Sequence, residues 1–142
     1  MKLVPNLNFV GNCEEAFNFY AKALQVQVTE LSRYASMPDD PNMTLTQEQK
    51  NLVMHVQLQK DGQIIAMGAD ILPFMAPNGM SIGNNLEICI MTDTKDEADR
   101  SFVELSKDGK IIMPMEDQFW GDYFWSCTDK YGVNWMIICV KK

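Results

Sequence analysis

Ala16, Phe17, Tyr20, Ala23 and Leu24 recur at helical spacing and predict a three-turn helix with one apolar stripe. Asn12, with Glu15 three residues on, reads as a capping box at its start: the Asn side chain would take the third helical N–H and Glu15 would reach back. The device returns at Thr94 and Glu97. Ala98, Phe102 and Leu105 continue that stripe, and Gly109 reads as a left-handed stop. The shared Glu-Ala step, with an aromatic four residues later, marks an internal repeat.

The flanks repeat too. Leu3 to Val10 and Leu86 to Met91 read as the strands that enter the two helices, and three strand-like runs follow each helix. In the first half these are Val26 to Ala35, Leu52 to Gln59 and Gln63 to Ala69, the last two joined by the hairpin signal Asp61-Gly62. In the second half they are Lys110 to Met115, Tyr123 to Thr128 and Val133 to Val140, with Asp129 to Gly132 as the turn. The fold class is therefore α+β: two βαβββ modules, about 1–75 and 84–142, in one domain over 1–142. One helix covers one face of a four-stranded sheet, so the other face must curl around something or pair with the other half. The polar segment Ser36 to Asn51, with a short helix near Gln47, reads as either a solvated connector or a functional loop.

Composition narrows the function classes. Residues are 46% hydrophobic and 22% charged, which excludes a disordered chain. The net charge of −7, without a basic cluster, argues against nucleic acid or an anionic membrane as partner. The start MKLVPNLNF lacks the apolar run of a signal peptide, and no stretch approaches the length of a membrane span, so a cytoplasmic location is expected. Cys13, Cys89, Cys127 and Cys139 form no CxxC pair and read as free thiols.

Four strings carry a resemblance: GNCEEAFNFY (Gly11 to Tyr20), MHVQL (Met54 to Leu58), DEADRSFVEL (Asp96 to Leu105) and FWGDYFWSCTDKYGVNW (Phe119 to Trp135). Together with the repeated module they resemble the PhnB-like branch of the vicinal oxygen chelate superfamily, which includes glyoxalase I, extradiol dioxygenases and bleomycin-resistance proteins. That branch is sometimes labelled a 3-demethylubiquinone methyltransferase domain. The turns Gly11-Asn12 and Asp93-Thr94 hold no glycine cluster of the kind an adenosyl cofactor uses, so methyl transfer is not expected. Leu24-Gln25-Val26 stands where relatives often place a glycine, which predicts a weaker helix stop. The resemblance implies a curled mixed sheet with helices on its convex face, a small-molecule ligand on the concave side, and a homodimer.

Metal-using members of the superfamily place four ligands on the first and last strands of the modules. Counting from the helix starts puts these slots at Val4 or Pro5, Ala66 or Met67, Leu86 or Glu87, and Met136. Only Glu87 is a ligand type, so no metal and no cofactor is expected. Leu52, Met54, Val56 and Leu58 alternate onto one face, which leaves His55 and Gln57 on the concave side. His55 reads as a base, a ligand contact or a satisfied strand histidine; Glu87 either enters a cavity or faces water. Trp120 and Asp122, on the loop from Phe119, read as pocket lining. Trp135 reads as core, and Cys13 lies outside the concave sheet. The expected role is a metal-free binder of a small organic molecule through Gln57, Trp120 and Asp122. The alternatives are an isomerase or lyase using His55 or Glu87 as base and, disfavoured by the ligand count, a metal-dependent glyoxalase or dioxygenase.

Overall fold

Eight strands and three helices follow the order read from the hydrophobic pattern in the computed structural model, which describes residues 1–119 and 121–140. The chain divides into two compact units, Met1–Met80 and Ser81–Lys142. The first holds β1 (Asn6–Phe9), α1 (Cys13–Leu24), β2 (Gln27–Arg33), a 3-10 turn at Tyr34–Ser36, α2 (Gln47–Asn51), β3 (Val53–Lys60), β4 (Gln63–Asp70) and a 3-10 turn at Pro73–Met75. The second holds β5 (Ile88–Thr92), α3 (Lys95–Leu105), β6 (Lys110–Asp117), β7 (Tyr123–Thr128) and β8 (Asn134–Cys139). The sheets have orders β1-β4-β3-β2 and β5-β8-β7-β6, the same path four strands on, so the repeat extends to topology. In each, the strand before the helix pairs in parallel with the last strand, and the other pairings are antiparallel. No helix among the described residues is long and apolar enough to cross a membrane.

The helices bury most of the predicted stripes, Ala16, Phe17, Tyr20 and Ala23 on α1 and Ala98 and Leu105 on α3, together with Cys13 and Ser101, while Leu24 and Phe102 are half-buried. Phe102 packs edge-on against buried Trp125, ring centroids 4.9 Å apart. Asp61 (φ 50°) and Gly62 (φ 74°) are both left-handed, as an Asp-Gly hairpin turn requires.

Two end signals differ from the sequence reading. Asn12 makes no side-chain cap, because the place is taken from across the sheet. Asp70, at the end of β4 and 2% exposed, accepts from Gly11 N–H (2.8 Å) and Cys13 N–H (3.0 Å) with Oδ1, and from Val53 N–H (3.0 Å) with Oδ2. A carboxylate there satisfies orphan amides and meets the positive end of the helix dipole. Thr94 does cap α3, its Oγ1 accepting from Glu97 N–H. Gly109 is not left-handed; Asp108 is (φ 57°). A Cβ on Gly109 would lie 2.4 Å from the Thr128 carbonyl oxygen, so the glycine serves a close approach to β7.

At the end of α1, Gln25 adopts the left-handed conformation (φ 53°), and the Val26 N–H reaches back to the Ala21 carbonyl oxygen at 2.9 Å. This is the closure that glycine ordinarily makes without strain. Gln25→Gly is expected to stabilise the chain by about 0.5–1 kcal/mol, the residual after glycine's extra unfolded-state entropy. A rise in the urea midpoint checks it; a fall would show that the cap is unstrained.

Candidate functional site

In the first sheet, α1 covers one face. Leu7, Gly68 and Val56 lie across from one another, and a Cβ on Gly68 would lie 2.3 Å from the Phe17 ring, which places this row under the helix. The next row, Asn6, Met67, Gln57 and Thr29, therefore points away from α1. Ser32 lies across from His55 on the same open face. This face carries amides, hydroxyls and one imidazole, and the Asn6 amide donates to Asn8 Oδ1 at 3.2 Å.

The apolar alternation of β3 departs from the sequence reading at one place. Val56 and Leu58 are buried as expected, but Val53, 1% exposed, takes the inward position expected of Met54. Pairing with β2 runs Arg33–Val53 and then Ser32–His55, so β3 takes up one extra residue, and the bulge shifts the alternation. His55 and Gln57 lie beyond the bulge and keep the predicted face. Both are half-buried and hydrogen-bonded in a row: Gln59 Nε2 donates to Gln57 Oε1 at 3.1 Å, and Gln57 Nε2 lies 3.1 Å from His55 Nε2. With Gln57 Oε1 occupied as an acceptor, its amide nitrogen donates to the imidazole. An amide nitrogen only donates, so this contact is one made by the imidazole tautomer that carries its proton on Nδ1.

In the second sheet, Ile90 faces buried Ile137 on the side of α3, so Cys89 and Met136 share the open face, in a row with Ser126 and Met113. Glu87 precedes β5 and is exposed. Asp122 is half-buried at the start of β7, where its carbonyl accepts from Gln118 N–H at 2.8 Å. Trp120 lies outside the described residues. Trp135 is core: its indole N–H donates to Asp129 Oδ2 at 2.8 Å, while Asp129 Oδ1 accepts from the Tyr131 and Val133 amides.

The slot positions also move. Across from Met67 stands Asn6 rather than Val4 or Pro5, and across from Met136 stands Cys89 rather than Leu86 or Glu87. Counting from the helix start misses this because strand pairing, not chain distance, sets which residues face each other. Asn6 and Met67 offer an amide and a thioether in the first unit, and Cys89 and Met136 a thiol and a thioether in the second. A hard divalent ion prefers carboxylate, imidazole or water, so neither pair suits the metal used elsewhere in the superfamily. No group of three His, Cys, Asp or Glu able to hold a metal occurs among the described residues.

Sequence reasoning gave the Ser36 to Asn51 segment no walls to form, yet it shapes two recesses within the first unit. One, of about 410 Å³, is lined by Tyr34, Met37, Asp40, Met43 and Lys50. The other, of about 560 Å³, lies between α2 and the chain after β4, lined by Val10, Thr46, Leu52, Leu72 and Met80. Thr46 and Gln49, on the wall of the second recess, close a full capping box at the start of α2. His55, Gln57, Glu87 and Asp122 line neither recess.

Three of the four cysteines are buried and Cys89 is exposed. Burial, and after it the charges of Asp70 and Glu14, pushes the Cys13 thiol from 9.0 up to about 12. Burial and Asp129 do the same to Cys127. Partial desolvation by the surrounding sheet, and after it the charge of Glu87, raises the thiol of Cys89 as well, although that residue is exposed. A folded-state value above the unfolded one gives stability that is whole below pH 9.0 and is lost as pH climbs toward about 12. The slope is roughly 1.4 kcal/mol per pH unit per thiol. Urea midpoints measured from neutral to alkaline pH should fall less steeply for Cys13→Ala than for the wild type, and parallel curves would refute the assignment.

The comparisons with known proteins agree with this fold. Residues 1–138 match the family described as 3-demethylubiquinone-9 3-methyltransferase. The crystal structure of PA1353 from Pseudomonas aeruginosa is similar at 30% identity and a TM-score of 0.82, covering 100% of this chain and 99% of that one. The PhnB protein from Bacillus cereus is similar at 27% identity and a TM-score of 0.76, covering 99% of this chain and 100% of that one. A glyoxalase/bleomycin resistance/dioxygenase family enzyme from Burkholderia phytofirmans PsJN shares the fold at 15% identity and a TM-score of 0.65, over 96% of this chain and 95% of that one. The chain belongs to the 3-demethylubiquinone-9 3-methyltransferase family, the PhnB-like branch with the glyoxalase-like fold.

Proposed function

We propose that the chain binds a small organic molecule on the open face of the β1–β4 sheet, recognised by His55 and Gln57, without a metal ion. The hydrogen-bonded row from Gln59 through Gln57 to His55 carries this reading. In the tautomer with Nε2 engaged, Nδ1–H is left as the donor, which suits recognition of a carbonyl or other acceptor on the ligand. A lone pair that already accepts from Gln57 favours this binding role for His55 over that of a general base. Glu87, the other candidate base, is exposed. Methyl transfer gains no support from the family's description alone: at the β1–α1 turn the Gly11 and Cys13 amides are already bonded to Asp70.

A thermal-shift screen of small metabolites, followed by calorimetric titration of each compound that stabilises the chain, tests the proposal. His55→Ala and Gln57→Ala should each weaken binding by about 1–3 kcal/mol, the scale of a lost hydrogen bond in a half-buried site. Unchanged affinity in both variants would place the ligand elsewhere and overturn the reading.

A further inference from the structure

We propose that Cys89, Met91 and Met136 form a binding site for a soft monovalent metal ion, Cu(I) or Ag(I), on the open face of the β5–β8 sheet. The placement follows from the strand register. Ile90 lies across from fully buried Ile137, so its neighbours Cys89 and Met91 project to the other side. Met136 lies directly across from Cys89 on the adjacent parallel strand, and Ile138 lies across from Met91. Neighbouring strands are about 4.8 Å apart and alternate residues along a strand about 6.6 Å apart, so three sulfur-bearing side chains rise from one small triangle. Methionine's flexible, unbranched side chain can bring its sulfur toward the shorter Cys89 thiol.

The chemistry is selective. Thiolate and thioether sulfurs are soft ligands that favour Cu(I) over hard cations, and the row continues through Ser126 to a further thioether on Met113. Access is open, since Cys89 is exposed and Met91 is 72% exposed. On binding, the Sγ–H bond breaks, the proton passes to solvent and Sγ bonds to the ion; the metal arrives and stays in the +1 state, so no electron moves. This site lies wholly in the second unit and does not rest on the ligand proposal above.

Anaerobic titration of the full chain with Cu(I) against a competing chelator, and with Ag(I) as a redox-silent probe, tests the proposal. One ion per chain is expected, with X-ray absorption of the copper form showing three sulfur neighbours. Cys89→Ser should abolish binding. Met91→Leu and Met136→Leu should each weaken it on the order of 10- to 100-fold while leaving circular dichroism unchanged. Met43→Leu, in the first unit, should change nothing. Full affinity in both Met91→Leu and Met136→Leu would reduce the site to a bare thiol and overturn the proposal. So would retained binding in Cys89→Ser, or half an ion per chain, which would mean two thiols from separate copies.

Discussion

Asp70→Ala is expected to destabilise the chain by about 3–5 kcal/mol, a large part of the 5–15 kcal/mol that holds a typical domain folded. Three amide donors lose their acceptor at once, two of them on the buried residues Cys13 and Val53. Each buried N–H left unsatisfied costs about 1–3 kcal/mol, and the helix also loses the negative charge at its start. Asp70 joins three elements, since its carboxylate bonds the β1–α1 turn and the first residue of β3 while its carbonyl accepts from the Tyr34 hydroxyl at 2.8 Å. Asp70→Asn keeps one acceptor oxygen but presents an amide N–H to one of the former donors, so its loss should be intermediate. Urea unfolding of the two variants measures both. A midpoint for Asp70→Ala within about 0.5 kcal/mol of wild type would mean that water or Asn12 replaces the carboxylate without penalty.

Gly68→Ala and Gly109→Ala should each cost about 1–3 kcal/mol or more, although neither glycine has a positive φ. A Cβ at position 68 would lie 2.3 Å from Phe17 Cε2 and 3.1 Å from the Leu7 carbonyl oxygen. Phe17 is fully buried and wedged edge-on between Phe9 and Tyr20, so the ring has nowhere to retreat. At position 109 the obstacles are backbone atoms of Thr128 and Asp129, which move only with β7 itself. Gly83→Ala is the control: the nearest atom is the flexible Asn85 side-chain oxygen at 3.2 Å, and the change should stay within about 0.5 kcal/mol. Equal melting temperatures for all three variants would refute the steric account.

Periodicity with cap and turn signals placed the two long helices and all eight strands, because burial of an apolar stripe or an alternating face is written locally in residues such as Ala16, Phe17 and Tyr20, or Val56 and Leu58. It also put His55 and Gln57 on the face away from α1. The family followed from strings as long as that from Phe119 to Trp135, which local chemistry and the fold together constrain.

Contacts between residues distant in sequence arise only once the chain has folded. Asn12 looked like the cap of α1, yet Asp70, 57 residues beyond Cys13, holds that place, and no local pattern announces a carboxylate arriving from β4. Gly109 looked like a helix stop, yet its reason is the close passage of Thr128. The slots shifted from Val4 or Pro5 to Asn6, and from Leu86 or Glu87 to Cys89, because facing partners are chosen by strand register. The bulge that turns Val53 inward instead of Met54 has the same origin, in the pairing of β3 with β2. Local spacing determines which face a side chain takes within its own element; which side chain stands opposite is decided only when the strands pair.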